Sequence, residues 1–223
     1  MTKTKTPSAL AADDLDVESL MDTLRAHGRS ITIGSIVVVV VAGGLLLWRL
    51  SVNQKNERAE RALTEATNAF YQGNRPLAAT ELKSLADRYR DTPAGVEGAM
   101  VLAQMDFEEA RWADGLKVLE AATKSSAIEQ FRAPIDGLMG GAYADLKQYD
   151  DAVKHYRAAM SESEYQSVKD VYEADAARIL ALSGKKAEAR KIWESLAAKP
   201  ESPSVAEAKV RLGELDAAAA AKN

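Results

Sequence analysis

Side chains do chemistry when the right types converge, and this 223-residue chain offers few candidates. Its two histidines, His27 and His155, lie in different parts of the chain, one beside a long apolar run and one on a helical segment. Neither belongs to a triad or a metal-ligand cluster, and His155 is expected to be an exposed helix residue. There is no cysteine, which excludes thiolate catalysis and structural disulfides and leaves the redox compartment open. Gly140-Gly141 is not a phosphate loop, because it sits inside a helical pattern with no Lys-Ser/Thr after it. The acidic pairs Glu108-Glu109 and Asp150-Asp151 fall at turns or solvated faces, where negative charge at a helix start is favourable. Lys185, Lys186, Arg190 and Lys191 form the densest basic group, with the spacing of a solvated helix face. A net charge of −4 and a pI near 5.4 argue against a nucleic-acid partner, since no basic cluster neutralises a run of phosphates. The expectation is a non-enzymatic protein without catalytic residues, metal or cofactor.

The elements around these residues are more informative. Ile31 to Trp48 reads ITIGSIVVVVVAGGLLLW, a run without a charge in an otherwise polar chain. As a helix it spans roughly 27 Å, close to the ~30 Å hydrocarbon core of a bilayer. Val37 to Val41 makes the helix apolar around its whole circumference, whereas a water-facing bundle helix keeps a polar stripe. No small-residue cleavage site follows, so an uncleaved anchor is expected rather than a signal peptide. Trp48 and Arg49 provide an interfacial aromatic and a snorkelling cation at the exit. Gly34, Gly43 and Gly44 leave small patches for another helix. The expected organisation is an acidic leader at 1–29, with a possible short amphipathic helix on Leu20, Met21 and Leu24, a transmembrane anchor at 30–50, and a helical domain at 51–223. Flanking charges, Arg25 and Arg29 against Arg49, Lys55, Arg58 and Arg61, do not settle the orientation, because long domains translocate largely regardless of charge.

Beyond Asn53 the chain is rich in Ala, Leu, Glu, Lys and Arg, with apolar residues at helical spacing and no period-two alternation. Breakers divide it at Gly73 to Pro76, Asp91 to Pro93, Arg111-Trp112, Ser125-Ser126, Lys147-Gln148, Gly184-Lys185 and Lys199 to Pro203. Asp91 or Thr92, and Ser202, read as helix N-caps ahead of a first-turn proline. Small residues recur at Ala79, Gly115, Ala152 and Ala189, and again twelve positions earlier at Thr67, Ala103, Gly140 and Ala177. Self-similarity at this period marks a solenoid of helical hairpins. Lys83, Leu119, Tyr156 and Trp193 follow four positions after the first set, and Ala86, Ala122, Ala159 and Leu196 seven after. The first unit is the weakest, with Lys83 at an apolar site and Pro76 in its turn. Trp112, Tyr149 and Trp193 are expected to pack between helices. The fold class is therefore all-α: one transmembrane helix, then three to four hairpins closed by a capping helix from Pro203 to Ala220. A groove lined by the first helix of each hairpin would present Met100, Gln104, Phe107, Glu108, Asp145 and Arg178, a mixed surface suited to unfolded or extended polypeptides.

The unit from Gly140 to Ala159, with Gly140, Tyr143, Tyr149, Ala152, Tyr156 and Ala159 at the small and aromatic positions, resembles the tetratricopeptide repeat. Leu24 to Arg29 leading into Gly34, the exit Leu47-Trp48-Arg49, the segment Leu180 to Glu194 and the closing Ser204 to Leu215 together resemble the YfgM-type ancillary subunit of the bacterial SecYEG translocon. That resemblance implies a single-pass inner-membrane protein with a cytoplasmic N-terminus and a periplasmic repeat domain. It also implies association with SecYEG and a PpiD-like membrane-anchored chaperone, and contact with newly translocated chains. The alternative from the residues is a membrane-tethered scaffold for an unrelated envelope or cytoplasmic complex.

Overall fold

A computed structural model describes the backbone of residues 17–220 and the side chains of residues 39–220. Nine α-helices occupy the described residues, and none of these residues is in a strand: α1 (Val17–Tyr71), α2 (Arg75–Arg88), α3 (Pro93–Glu108), α4 (Trp112–Ala122), α5 (Arg132–Asp145), α6 (Tyr149–Glu162), α7 (Gln166–Leu182), α8 (Lys186–Ala197) and α9 (Val205–Ala220). A 3-10 turn, Glu129–Phe131, precedes α5. Two compact units meet between Asn53 and Gln54, within α1.

In the first unit the described side chains from Val39 to Trp48 belong to the apolar run. Large aliphatics point outward around the helix, with Leu47 70% and Trp48 63% exposed, and a Cβ added at Gly43 or Gly44 would meet nothing within 4 Å. No helix among the described residues is long and apolar enough to cross a membrane. Ile31, Gly34 and the rest of the run through Val38 lie outside the residues whose side chains are described, as do the leader and its expected amphipathic helix.

The second unit repeats one device four times. Ala66, Ala103, Gly140 and Ala177, each 37 residues from the next, are buried where the first helix of a hairpin crosses the second. Ala78, Gly115, Ala152 and Ala189 are buried opposite them at the same spacing. Leu82, Leu119 and Trp193 follow as buried side chains, with Tyr156 half-buried in the same place, and then Leu85, Ala122, Ala159 and Leu196, all buried. Small residues at the crossing let two helix backbones approach, and the larger side chains one turn on fill the space beside it. Gly140 illustrates the fit: a Cβ there would lie 3.0 Å from the Tyr156 ring.

The turns repeat as strictly as the helices. Gly73, Ala110, Lys147 and Gly184 all have positive φ, between 58° and 84°, and each leaves the following amide to bond back to the helix. Those bonds are Asn74 N–H to Ala69 O, Arg111 to Asp106, Gln148 to Tyr143 and Lys185 to Leu180, at 2.8 to 2.9 Å. This left-handed cap satisfies carbonyls that the helix end would leave orphaned.

The first hairpin departs from the expected register by one residue. Ala66, Ala78, Leu82 and Leu85 are buried, while Lys83 is exposed and Thr67, Ala79 and Ala86 are only partly buried. Pro76 does not disturb the turn, because it lies in the first turn of α2, where its missing N–H has no helical partner to lose, and Asn74 caps the helix. Thr92 caps α3 as expected, its hydroxyl accepting from Gly95 N–H at 3.1 Å. Ser202 does not cap a helix opened by Pro203: α9 begins at Val205, and Ser202 accepts from Ser204 N–H within the preceding turn. A further break, at Ser163 to Tyr165, has no glycine or proline; Ser163 leaves the helix with extended backbone and donates its hydroxyl to Ala159 O at 2.7 Å.

Three apolar clusters run along the hairpins. One joins α1, α2 and α3, a second α3, α4 and α5, and a third α6 to α9 around Trp193, which is 1% exposed. Tyr143 of α5 touches both the second and the third.

Candidate functional site

One recess is a trough of about 710 Å³ with α2 and α4 as its walls and α3 as its floor. Its size lies within the usual range of ligand-binding clefts. It exists because the facing residues are short: Gly95, Val96 and Ala99 on the floor, Ala79 and Ala86 on one wall, Ala121 on the other. Gly98 brings α3 against α2, since a Cβ there would lie 2.5 Å from Leu85 Cδ2.

The rim carries Lys83 and Asp87 from α2, Arg90 from the turn after it, and Asp114 and Lys117 from α4. All five are exposed, and none makes an ion pair among the described residues. Elsewhere the hairpin ends are tied by such pairs: Arg75 with Glu108 at 2.8 Å, Arg111 with Asp106 and Glu109, Arg190 with Asp216 at 2.7 Å. The trough thus pairs a floor that is apolar except for Asp106, itself bound to Arg111, with rim charges of both signs that keep their bonding capacity.

The residues expected to line a groove lie on the first helices of the hairpins, α3, α5 and α7. Gln104 and Asp145 are exposed, Met100 is half-buried in the second cluster, and Glu108 is exposed and bound to Arg75. Phe107 stacks on Trp112, with centroids 5.7 Å apart, and its ring covers Gly115. Arg178 makes a bidentate pair with Glu207 at 2.8 and 2.9 Å and also binds Asp175, fastening α7 to α9. None of the six lines the trough. Ala79, Lys83 and Ala86 do, because the one-residue shift in the register of the first hairpin turns them from the core to the trough.

The perturbed ionisable groups fasten helices to one another. Burial alone would raise the Asp170 carboxyl, but hydrogen bonds from Lys199, Gln166 and Ser202 outweigh it and hold it below its ordinary value. Lys199 Nζ lies 2.8 Å from that carboxylate, locking the α8–α9 connection to the start of α7. The hydrogen bonds from Arg178 hold Glu207 low, against burial. Burial, helped by Asp175, pushes the Tyr156 hydroxyl up to about 12. His155 corrects the expectation of exposure: its ring is mostly covered, Nδ1 lies 2.7 Å from Asp136 Oδ1, and it stacks on Tyr143 at 5.2 Å. Among the described residues no group of three or more His, Cys, Asp or Glu side chains converges to hold a metal ion.

The tetratricopeptide repeat-like domain family matches residues 24–217 of the chain. A solved kinesin light chain-type protein of Podosopora anserina with nearly identical TPR-like repeats is 18% identical, with a TM-score of 0.55 over 71% of this chain and 85% of that one. A tetratricopeptide repeat protein from Parabacteroides merdae is 12% identical, with a TM-score of 0.57 over 72% of this chain and 61% of that one. At these identities the likeness concerns the fold alone. No curated protein matches the chain.

Proposed function

Because the chain belongs to the tetratricopeptide repeat-like domain family, a family of protein-interaction scaffolds, we propose that it is a non-enzymatic ancillary subunit of the bacterial Sec translocon. In this reading the apolar run holds the protein in the inner membrane with its N-terminus cytoplasmic. The repeat domain then stands in the periplasm, where it binds a PpiD-like chaperone and newly translocated polypeptide. The observation that carries the binding role is the trough between α2 and α4, a largely apolar floor ringed by five charged side chains without ion-pair partners among the described residues. The exposed aliphatics from Val39 to Leu50 support the anchor, since such side chains are stable against lipid or another apolar helix and costly in water. The motifs at the anchor, at Leu180 to Glu194 and in the closing helix support the translocon as the partner. A single anchor beside the channel would raise the effective concentration of a weak binder for emerging segments.

The test is site-specific photo-cross-linking from Val40 and Leu47 in intact membranes, with a periplasmically active reporter fused after Asn223. Cross-links to Sec subunits and an active reporter are expected. Cross-links only to other membrane proteins would instead assign the chain to an unrelated scaffold, and an inactive reporter would reverse the orientation.

A further inference from the structure

A second recess, also of about 710 Å³, lies away from the trough, where the start of α3, the 3-10 turn with α5, and the α6–α7 junction meet. Its apolar part includes Tyr165 and Val168, which are 67% and 39% exposed. Its charged part is all of one sign: Glu129, Glu162 and Glu164 line it, and no lysine or arginine does. Glu129 is bound to Arg132 at 3.1 Å, whereas Glu162 and Glu164 make no ion pair among the described residues.

The position of Glu162 is unfavourable for the domain by itself. Glu162 stands in the last turn of α6, where the unpaired carbonyls already concentrate negative charge and no basic residue offsets it, and Glu164 follows two residues later in the turn before α7. An exposed tyrosine and valine beside them add apolar surface in contact with water. Both costs are relieved by one kind of occupant: a side chain that covers Tyr165 and Val168, with cations on either side of it.

We propose that this recess docks a short segment of a partner protein in which a bulky apolar residue is flanked by lysine or arginine. It is separate from the α2–α4 trough, shares no lining residue with it, and selects for the opposite feature, net positive charge rather than mixed charge. Because the attraction is between exposed groups, it weakens with salt.

The experiment uses the full chain in nanodiscs and fluorescence anisotropy with three labelled octapeptides. One carries leucine-phenylalanine between paired lysines, one has glutamates in place of the lysines, and one has glycine-serine in place of the apolar pair. The first peptide is expected to bind best and to lose affinity as salt is raised. The double variant Glu162→Gln, Glu164→Gln is expected to weaken it about tenfold, the size expected for two partly screened ion pairs. Val168→Ser should weaken it as well, and Lys83→Ala with Lys117→Ala in the trough should leave it unchanged. These substitutions are on exposed side chains, and circular dichroism verifies that each variant is folded. Equal binding of the glutamate peptide, equal binding of the glycine-serine peptide, or no response to the double glutamine variant overturns the proposal. Loss of binding in the trough variant overturns it too, by assigning the peptide to the trough. The cross-linking outcome at α1 is independent of all four results.

Discussion

Replacing Gly95 by alanine tests the packing that makes the trough. In an open helix the change is stabilising, because alanine is favoured over glycine by about 1 kcal/mol. At Gly95 the new Cβ would lie 2.6 Å from the Tyr89 carbonyl carbon, 3.2 Å from Arg90 N, and closer still to the Tyr89 oxygen. Non-bonded carbons prefer about 3.5–4.0 Å, so backbone must move by roughly 1 Å. That backbone is pinned, since the same Tyr89 oxygen accepts both the Thr92 N–H at 2.9 Å and the Thr92 hydroxyl at 2.8 Å. Overpacking costs about 1–3 kcal/mol, and loosening two hydrogen bonds adds about 1 kcal/mol each. The clash therefore outweighs the propensity gain, for a net loss of about 2–4 kcal/mol. The control is Gly213→Ala on α9, where a Cβ would meet nothing within 4 Å. It should gain about 0.5–1 kcal/mol. Thermal unfolding of the full chain in mild detergent, followed at 222 nm, should place Gly95→Ala about 4–16 °C below the parent and Gly213→Ala about 1–4 °C above it. If both variants melt at or above the parent, α2 and α3 do not approach as described, and the trough loses its floor.

Other outcomes follow from the same contacts. Lys147 holds the left-handed turn position that glycine occupies at Gly73 and Gly184, so Lys147→Gly should stabilise by about 1 kcal/mol in the same melt. Lys199→Met leaves the Asp170 carboxylate buried without its cation and should cost about 3–5 kcal/mol in urea unfolding. Asp170 and Glu207 both have lowered folded-state values, so their contribution is present above the unfolded carboxylate range near about 4 and is lost as pH falls through the folded values. Asp170→Asn should therefore flatten the acid limb of a stability–pH profile below about pH 4. Arg178→Met should speed hydrogen exchange in α9 more than in α3, because the bidentate pair with Glu207 is what it removes.

The helical-hairpin architecture was legible because its causes are local and periodic. Small residues at the crossings, breakers at the turns and large side chains one helical turn later can all be counted along the chain, and six of the anchor positions, from Ala103 to Ala189, are buried at the 37-residue spacing. The register of the first hairpin stays open by one residue in the sequence because alanines stand at both Ala78 and Ala79, so the small-residue signal alone does not choose between them. Enforcing the 37-residue period back from Gly115 selects Ala78. The break at Ser163 left no glycine or proline to mark it.

What the sequence by itself determined is a chain with an apolar run and a repeated helical unit, since composition and periodicity depend only on neighbours along the chain. Tertiary structure alone decided which polar side chains are spent within the domain and which remain available. Arg178 reads as a groove cation until α9 brings Glu207 beside it, and His155 reads as solvated until Asp136 and Tyr143 close over it. Lys83 reads as a flaw in the core until a one-residue rotation of α2, about 100°, sets it on the rim of the trough. Each of these outcomes depends on a residue 12 or more positions away or on helix rotation, and neither is encoded in local spacing.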